Sequence, residues 1–187
     1  MTLRRHFVAP AVLAVLAALV VGVAAVPVGV GIAGAGRSGP AALAPLRVDR
    51  IVVRKSARRM TLIYRDRAVR TYSIALGFAP RGRKTTEGDG RTPEGTYRID
   101  ARNPKSSFHR SLRISYPNAE DRAQARRRGV SPGGRIFIHG QPNRLGAAGE
   151  VVALPGDWTL GCIAVSNRAI REIWRAVRVG TPVELRA

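Results

Sequence analysis

Short runs of β-branched and aliphatic residues, separated by turns and glycine-rich loops, determine the fold class of this chain. Runs of this length and composition are typical of β-strands. The first two are separated by only four residues and predict a hairpin. Strand and helix patterns do not alternate regularly, which argues against a doubly wound parallel sheet. The predicted strands are Arg50–Lys55, Met60–Tyr64, Arg70–Leu76, Thr96–Ile99, Leu112–Tyr116, Arg135–Ile138 and Thr181–Leu185.

Two helices are expected among these strands. Asn118 is a suitable N-cap for the first, which has acidic residues in its first turn, arginines in its last turn and Gly129 after it. Ser166 or Asn167 caps the second, which has an apolar stripe at helical spacing and runs to Arg178. We therefore expect a mainly β domain with two helices (α+β) and a sandwich-like or barrel-like sheet.

The N-terminal segment has the pattern of an export signal. Arg4 and Arg5 precede an uncharged stretch from Phe7 to Gly36, and a basic head followed by an apolar body is typical of secretory signals. Because the apolar part is also long enough to span a bilayer, residues 1–36 are either a signal peptide or an uncleaved N-terminal membrane anchor. Both alternatives place the rest of the chain in the periplasm or cell envelope.

The remaining chain is predicted to be one domain behind a linker. Residues 37–46 are rich in Gly, Ala and Pro, which is typical of linkers, and residues 47–187 have the usual length of a single domain. The formal net charge is +20. A charge of this size occurs in nucleic-acid-binding proteins, but an exported chain meets anionic envelope polymers and lipid headgroups instead. Solvated surface arginine also explains the charge, so we predict no nucleic-acid partner.

Cys162 is the only cysteine of the chain, which excludes an internal disulfide. An odd cysteine in an exported protein indicates intermolecular pairing, a reactive thiol or a buried apolar side chain. His139 is the candidate partner of a reactive thiol, because it lies where an apolar strand meets Gly140 and a long loop begins. An imidazole near a cysteine can take the thiol proton and later pass it to a leaving amine. One cysteine and scattered histidines do not form a metal-ligand set, so no metal or cofactor is predicted.

Several motifs in the same order resemble the YkuD family of L,D-transpeptidases. His139-Gly140, a long loop and Thr159-Leu160-Gly161-Cys162 are similar to the signature of that family. The segment Gly88–Tyr97 resembles its TPxGxY motif, and Ser111–Asn118 and Asp157–Val165 resemble the YafK-like branch in particular. The resemblance covers residues 47–187, the whole predicted catalytic domain.

This resemblance implies a β-rich fold and action on peptidoglycan stem peptides. Cys162 would be the nucleophile and His139 the general base and acid, with the carbonyl of Gly140 orienting the imidazole. Amides of Gly161 and Cys162 would form the oxyanion hole, and Thr159 would line the site. Trp158, next to the site, either packs in the core or contacts the stem peptide, since aromatic residues serve both purposes.

The implied reaction is a two-step acyl transfer through a thioester on Cys162. An amine of a neighbouring stem peptide, or a lysine of a wall-attached protein, would accept the acyl group. With water as acceptor, the same site would be an L,D-carboxypeptidase or amidase. A water-excluding lid would favour the amine, and Gln141–Gly156 is the hypothesised lid. The competing interpretation is a non-catalytic wall-binding domain in which Cys162 is buried.

Two residues depart from the family pattern. Many members have histidine where this chain has Leu160, and Asn or Arg where it has Ala164. Substrate contacts at these two positions are therefore expected to differ from those of other members.

Overall fold

A computed structural model describes residues 46–151 and 153–187. The predicted signal or anchor, residues 1–36, and nearly all of the predicted linker lie outside this range. The strands are β1 (Arg50–Arg54), β2 (Arg59–Tyr64), β3 (Arg67–Ser73), β4 (Gly95–Asn103), β5 (Ser111–Ile114), β6 (Phe137–His139), β7 (Ile163–Ala164) and β8 (Pro182–Arg186). The helices are α1 (Ala119–Arg127), α2 (Ala148–Val151) and α3 (Asn167–Ala176), and a 3-10 turn spans Asn143–Leu145.

The eight strands form one sheet in the order β3-β2-β1-β8-β4-β5-β6-β7. The predicted hairpin is present, since β1 and β2 pair antiparallel in consecutive register from Arg50↔Ile63 to Arg54↔Arg59. The last strand of the chain, β8, lies between β1 and β4, parallel to the first and antiparallel to the second. The C-terminal strand therefore joins the N-terminal hairpin to the strands that carry the candidate site.

Both predicted helices are present and begin at the predicted caps. The Asn118 side chain accepts a hydrogen bond from the backbone N–H of Asp121 at 3.0 Å, and the Asp121 carboxylate accepts one from the Asn118 N–H at 3.0 Å. Ser166 caps α3 by accepting from the Ala169 N–H at 3.1 Å. The short helix α2 was not predicted, because four residues in a glycine-rich segment are too few to show a helical period. The prediction of a mainly β fold is confirmed.

One apolar core lies between the sheet and α3. Alternate residues of the strands are buried, as expected for a sheet with one covered face. The helix contributes Ile170 and Ile173, both 0% exposed. The strands contribute Ile51, Val53, Leu62, Ile99, Leu112, Ile114, Ile138, Ile163 and Val183. No helix in the described ranges is long and apolar enough to cross a bilayer.

The segment that carries Cys162 is held against the chain that follows β3. Ala75 and Ala164 exchange two backbone hydrogen bonds of 2.9 Å, and the Phe78 N–H donates to the Thr159 carbonyl at 2.9 Å. Because this segment is also paired with β6 through β7, it is supported on both sides. The position of Cys162 is therefore set by two neighbouring stretches of backbone.

Candidate active site

His139 and Cys162 line the same cleft, which has a volume of about 700 Å³. In the parallel pair β6–β7, Ile138 lies beside Ile163, and both side chains are fully buried. Because β6 and β7 pair in this register, His139 after Ile138 and Cys162 directly before Ile163 lie on neighbouring stretches of backbone. The structure thus brings together the two residues that the sequence singled out as base and nucleophile.

The walls of the cleft come from segments far apart in the sequence. Trp158, Thr159 and Leu160 lie beside Cys162 on one side. Two other predicted site residues, Gly140 and Gly161, do not line the cleft themselves. Each directly adjoins a residue that does, His139 and Cys162 respectively. The remaining wall residues are Lys84, Glu87, Gly88, Asn103, Ser106, Ser107, Phe108, Ser111, Gly133, Gly134, Arg135, Ile136 and Phe137.

The His139 ring is fixed by one hydrogen bond and two aromatic neighbours. Its Nδ1 lies 2.7 Å from the carbonyl oxygen of Gly140, which is the contact expected for that carbonyl. The ring centroid is 4.5 Å from that of Phe108 and 5.7 Å from that of Trp158. His139 is 3% exposed. Burial lowers the pKa of His139, and the Gly140 carbonyl opposes this shift.

Cys162 is partly exposed and not sealed in the core. Its Sγ lies 3.8 Å from the carbonyl oxygen of Arg135. Burial of the thiol raises the pKa of Cys162, while the backbone N–H of Phe137 and the positive charge of Lys84 act in the opposite direction. The raised pKa favours the protonated thiol in the absence of substrate.

Gly161 is required by the backbone beside the nucleophile. Its φ is +117°, and a Cβ there would lie 2.6 Å from the Arg91 carbonyl oxygen, so any other residue would be strained and would clash. Its N–H donates to Thr159 Oγ1 at 3.1 Å. The Gly161 amide is therefore engaged within the turn, which differs from its expected place in the oxyanion hole. The N–H of Cys162 has no acceptor among the residues that the structure describes.

Thr159 holds the turn around Cys162 together. Its hydroxyl donates to the Cys162 carbonyl at 2.8 Å while accepting from Gly161. Thr159 is 4% exposed, so the hydroxyl is buried with both of its hydrogen bonds made. The neighbouring Trp158 has a buried indole N–H without a partner in the described structure. Thr159 therefore acts on the position of Cys162 as well as lining the cleft.

The hypothesised lid lies elsewhere. In the described part of Gln141–Gly156, no residue lines the cleft of Cys162. Gln141, Ala153 and Leu154 instead line a second cavity of about 360 Å³, together with Ala164. The segment is tied down there, since Gln141 Nε2 donates to the Val165 carbonyl at 2.7 Å and Gln141 Oε1 accepts from the Leu154 N–H at 2.9 Å. The described residues of this segment therefore make their contacts outside the cleft and do not line it.

The two departures from the family pattern lie in different surroundings. Leu160 lines the cleft and is 77% exposed, whereas Ala164 is 1% exposed in β7 and lies outside the cleft. Only Leu160 is therefore placed to contact a bound substrate. His109, the other histidine of the domain, lies outside the cleft with its Nε2 3.4 Å from Arg171.

Three residues that line the cleft or hold its backbone were not singled out from the sequence. Phe108 and Lys84 reach the cleft from loops, and no periodicity marks them. Asn167 accepts a hydrogen bond from the Gln141 N–H at 2.8 Å and so fixes the chain just after His139. The available signal for Asn167 was its place at a helix cap, which indicates hydrogen bonding but not its partner. Among residues 46–151 and 153–187, no cluster of three His, Cys, Asp or Glu side chains could hold a metal ion.

Several known proteins are similar to this chain in sequence or fold. The chain is 28% identical over 110 residues to YafK of Escherichia coli strain K12, a match covering 57% of this chain and 36% of YafK. The crystal structure of the helical cell shape determining protein Pgp2 from Campylobacter jejuni superposes with a TM-score of 0.58 at 28% identity, covering 72% of this chain and 46% of Pgp2. Bd1075 of Bdellovibrio bacteriovorus shares the fold, with a TM-score of 0.52 at 22% identity over 74% of this chain and 48% of its own.

The chain spans less than half of the length of each of these relatives. The family model of the L,D-transpeptidase catalytic domain, YkuD, matches residues 48–185. The resemblance seen in the sequence motifs is confirmed, and this chain belongs to the YkuD family of L,D-transpeptidase catalytic domains.

Proposed function

We propose that this chain is an exported, peptidoglycan-modifying L,D-transpeptidase with Cys162 as nucleophile. Membership of the family supports a function in peptidoglycan modification. The observation that carries the finer proposal is that Cys162, directly before β7, and His139, at the end of β6, line the same cleft. Residues 47–187 would be the catalytic domain, with residues 1–36 directing export or anchoring the chain in the membrane.

The hydrogen bond of His139 determines which ring nitrogen is the base. A backbone carbonyl accepts but cannot donate, so Nδ1, 2.7 Å from the Gly140 oxygen, carries the proton. Nε2 of the neutral ring is then the free acceptor. The lowered pKa of His139 keeps the ring neutral, and therefore basic, to pH values below the ordinary histidine range.

The first step forms a thioester. Cys162 Sγ attacks the carbonyl carbon of the L-centred residue that is joined to the terminal D-alanine of the stem peptide. During the attack the thiol proton passes to His139 Nε2 and the carbonyl electron pair moves to oxygen. The N–H of Cys162, which has no acceptor among the described residues, is the donor we assign to that oxyanion. When the carbonyl re-forms, the C–N bond breaks, and His139 returns the proton to the departing D-alanine amine.

The second step returns the enzyme to its starting form. An amine of another stem peptide, or of a lysine on a wall-attached protein, attacks the thioester carbonyl carbon and loses a proton to His139. As the C–S bond breaks, His139 passes that proton to the Cys162 sulfur, which leaves as the thiol. Water is the second candidate acceptor, which would make the enzyme an L,D-carboxypeptidase or amidase. The partial exposure of Cys162 and the position of the hypothesised lid outside the cleft support access by water.

The test is mass spectrometry of purified muropeptides incubated with the parent protein and three variants. We expect crosslinked or trimmed products from the parent and none from Cys162→Ala or His139→Ala. His109→Ala is the matched control, because His109 lies outside the cleft, and it should keep the activity. Absence of products from the parent, with peptidoglycan binding unimpaired in Cys162→Ala, would support the non-catalytic wall-binding alternative instead. Products from Cys162→Ala at the parent rate would contradict Cys162 as the nucleophile. Crosslinked, trimmed and protein-linked products differ in mass, so the same spectra identify the acceptor.

A further inference from the structure

Arg135 occupies an unusual position beside the nucleophile. It follows Gly133 and Gly134, lines the cleft, and its carbonyl oxygen lies 3.8 Å from Cys162 Sγ. Its backbone φ is +58°, in the left-handed region that glycine adopts without strain and other residues adopt at a cost. An arginine follows two glycines in a place where a third glycine would be less strained. Strained residues of this kind cluster at binding and catalytic sites.

The charge of Arg135 is not compensated within the described structure. The residue is exposed, and its guanidinium forms no ion pair or hydrogen bond among the described residues. The other cation of the cleft is already occupied, since Lys84 Nζ lies 2.8 Å from Asp89 Oδ1 and donates to the Thr86 carbonyl. The anion of the cleft, Glu87, accepts from the Ser131 hydroxyl at 2.9 Å. Arg135 is therefore the cation of this cleft that is free to bind an anionic ligand.

We propose that Arg135 binds a carboxylate of the stem peptide and selects substrates that carry it. This inference rests on the proposed function and names the substrate feature that the same site recognises. A guanidinium pairs with a carboxylate through two parallel hydrogen bonds, so it fixes orientation as well as charge. Because the Arg135 backbone touches Cys162, its side chain reaches the groups that flank the reacting carbonyl. When the L-centred residue is diaminopimelate, two carboxylates flank that carbonyl: the one on the departing D-alanine and the one on the diaminopimelate side chain.

The experiment compares three synthetic tetrapeptides that contain diaminopimelate. One has both carboxylates free, one has the C-terminal carboxylate amidated, and one has the side-chain carboxylate amidated. Rates of D-alanine or D-alaninamide release give kcat/KM for the parent and for Arg135→Asn. Asparagine tolerates the left-handed conformation, so this substitution removes the charge without straining the backbone. Arg65→Asn is the matched control, since Arg65 is exposed with φ of +48° in the turn after β2 and lies outside the cleft.

We expect Arg135→Asn to lower kcat/KM by about 10- to 100-fold on the doubly free peptide, the usual effect of a hydrogen-bonded charge. The loss should nearly vanish on the peptide whose amidated group is the one that Arg135 binds, which identifies the carboxylate. Arg135→Lys should recover part of the rate, and Arg65→Asn should match the parent on all three peptides.

An equal loss on all three peptides, or no loss on any, would overturn the assignment of Arg135. That result differs from a failure of the proposed function, in which the parent itself would release nothing from any of the three peptides. In that second case the role assigned to Arg135 would also be wrong, because it depends on the proposed function.

Discussion

Burial shifts the pKa values of the two central residues in opposite directions. It raises the pKa of Cys162 and lowers that of His139. Both shifts favour uncharged forms, a thiol beside a neutral imidazole, over the thiolate and imidazolium that activated cysteines often form. The chemistry then depends on proton transfer during attack, and the resting thiol is protected from adventitious reagents.

Alkylation by iodoacetamide tests this neutral pair, because only the thiolate reacts. Since the pKa of Cys162 is raised, its thiolate fraction is small at neutral pH and grows as pH rises through that pKa. We expect the rate to rise about tenfold per pH unit between pH 6 and 8, without a plateau. The same chain unfolded in urea is the control. Its alkylation rate should reach a plateau at a lower pH than that of the folded protein, because burial no longer raises the pKa of Cys162. A plateau near neutrality in the folded protein, lost in His139→Ala, would demonstrate an ion pair instead.

The turn carrying Cys162 is an element without helix or strand structure of its own until β7, so its geometry depends on side-chain anchors. Asp157 is the main one. It pairs with Arg58, with 2.7 Å between Oδ2 and the guanidinium Nη2, and its Oδ1 accepts from the Leu76 N–H at 2.9 Å. Arg58 lies in the β1–β2 turn, so this contact joins the N-terminal hairpin to the turn that carries the nucleophile.

Replacing Asp157 with alanine should therefore affect both stability and activity. Because the pair is only partly buried, at 37% and 16% exposure, we expect a loss of about 2–3 kcal/mol in the free energy of unfolding, measured by urea denaturation. Misplacement of Cys162 should lower kcat/KM on a stem peptide by about ten- to a hundredfold.

Asp100→Ala is the control for that loss, since it removes an exposed ion pair with Arg113 on β5. We expect it to cost less than about 1 kcal/mol and to leave activity unchanged. If Asp157→Ala behaved like Asp100→Ala in both assays, the anchoring role of Asp157 would be wrong.

At the scale of the whole molecule, local patterns predicted the elements but not their arrangement. The caps at Asn118 and Ser166 and most strand runs were readable, because their signals lie within a few residues. The four residues that extend β4 to Asn103, three of them polar, have low strand propensity. They form strand through pairing with β5. The insertion of β8 between β1 and β4, and the cleft walls near Lys84 and Arg135, depend on contacts between residues distant in sequence. Such contacts leave no local periodicity.

Lys55 makes long-range contacts of this kind. Its ammonium is 2% exposed and donates to the carbonyls of Gly82 and Thr92 at 2.6 and 2.9 Å and to Glu94 at 2.7 Å. It lies in the β1–β2 turn, while its partners bracket the loop whose residues 84, 87 and 88 form a wall of the cleft. One buried cation therefore connects the turn between β1 and β2 to a loop that forms part of the cleft wall.

Lys55→Met tests this connection, because methionine keeps most of the volume and removes the charge. One buried carbonyl, one partly buried carbonyl and a partly buried carboxylate lose their partner. We therefore expect the free energy of unfolding to fall by about 2–4 kcal/mol. Hydrogen exchange of residues 82–94 should become faster than in the parent.

Lys105→Met, at an exposed position, is the control. It should change the free energy of unfolding by less than about 0.5 kcal/mol and leave the hydrogen exchange of residues 82–94 as in the parent. Adding Glu94→Leu to Lys55→Met should recover part of the loss, since it removes the uncompensated carboxylate. Unchanged stability and exchange in Lys55→Met would mean that the loop is held by its backbone contacts alone.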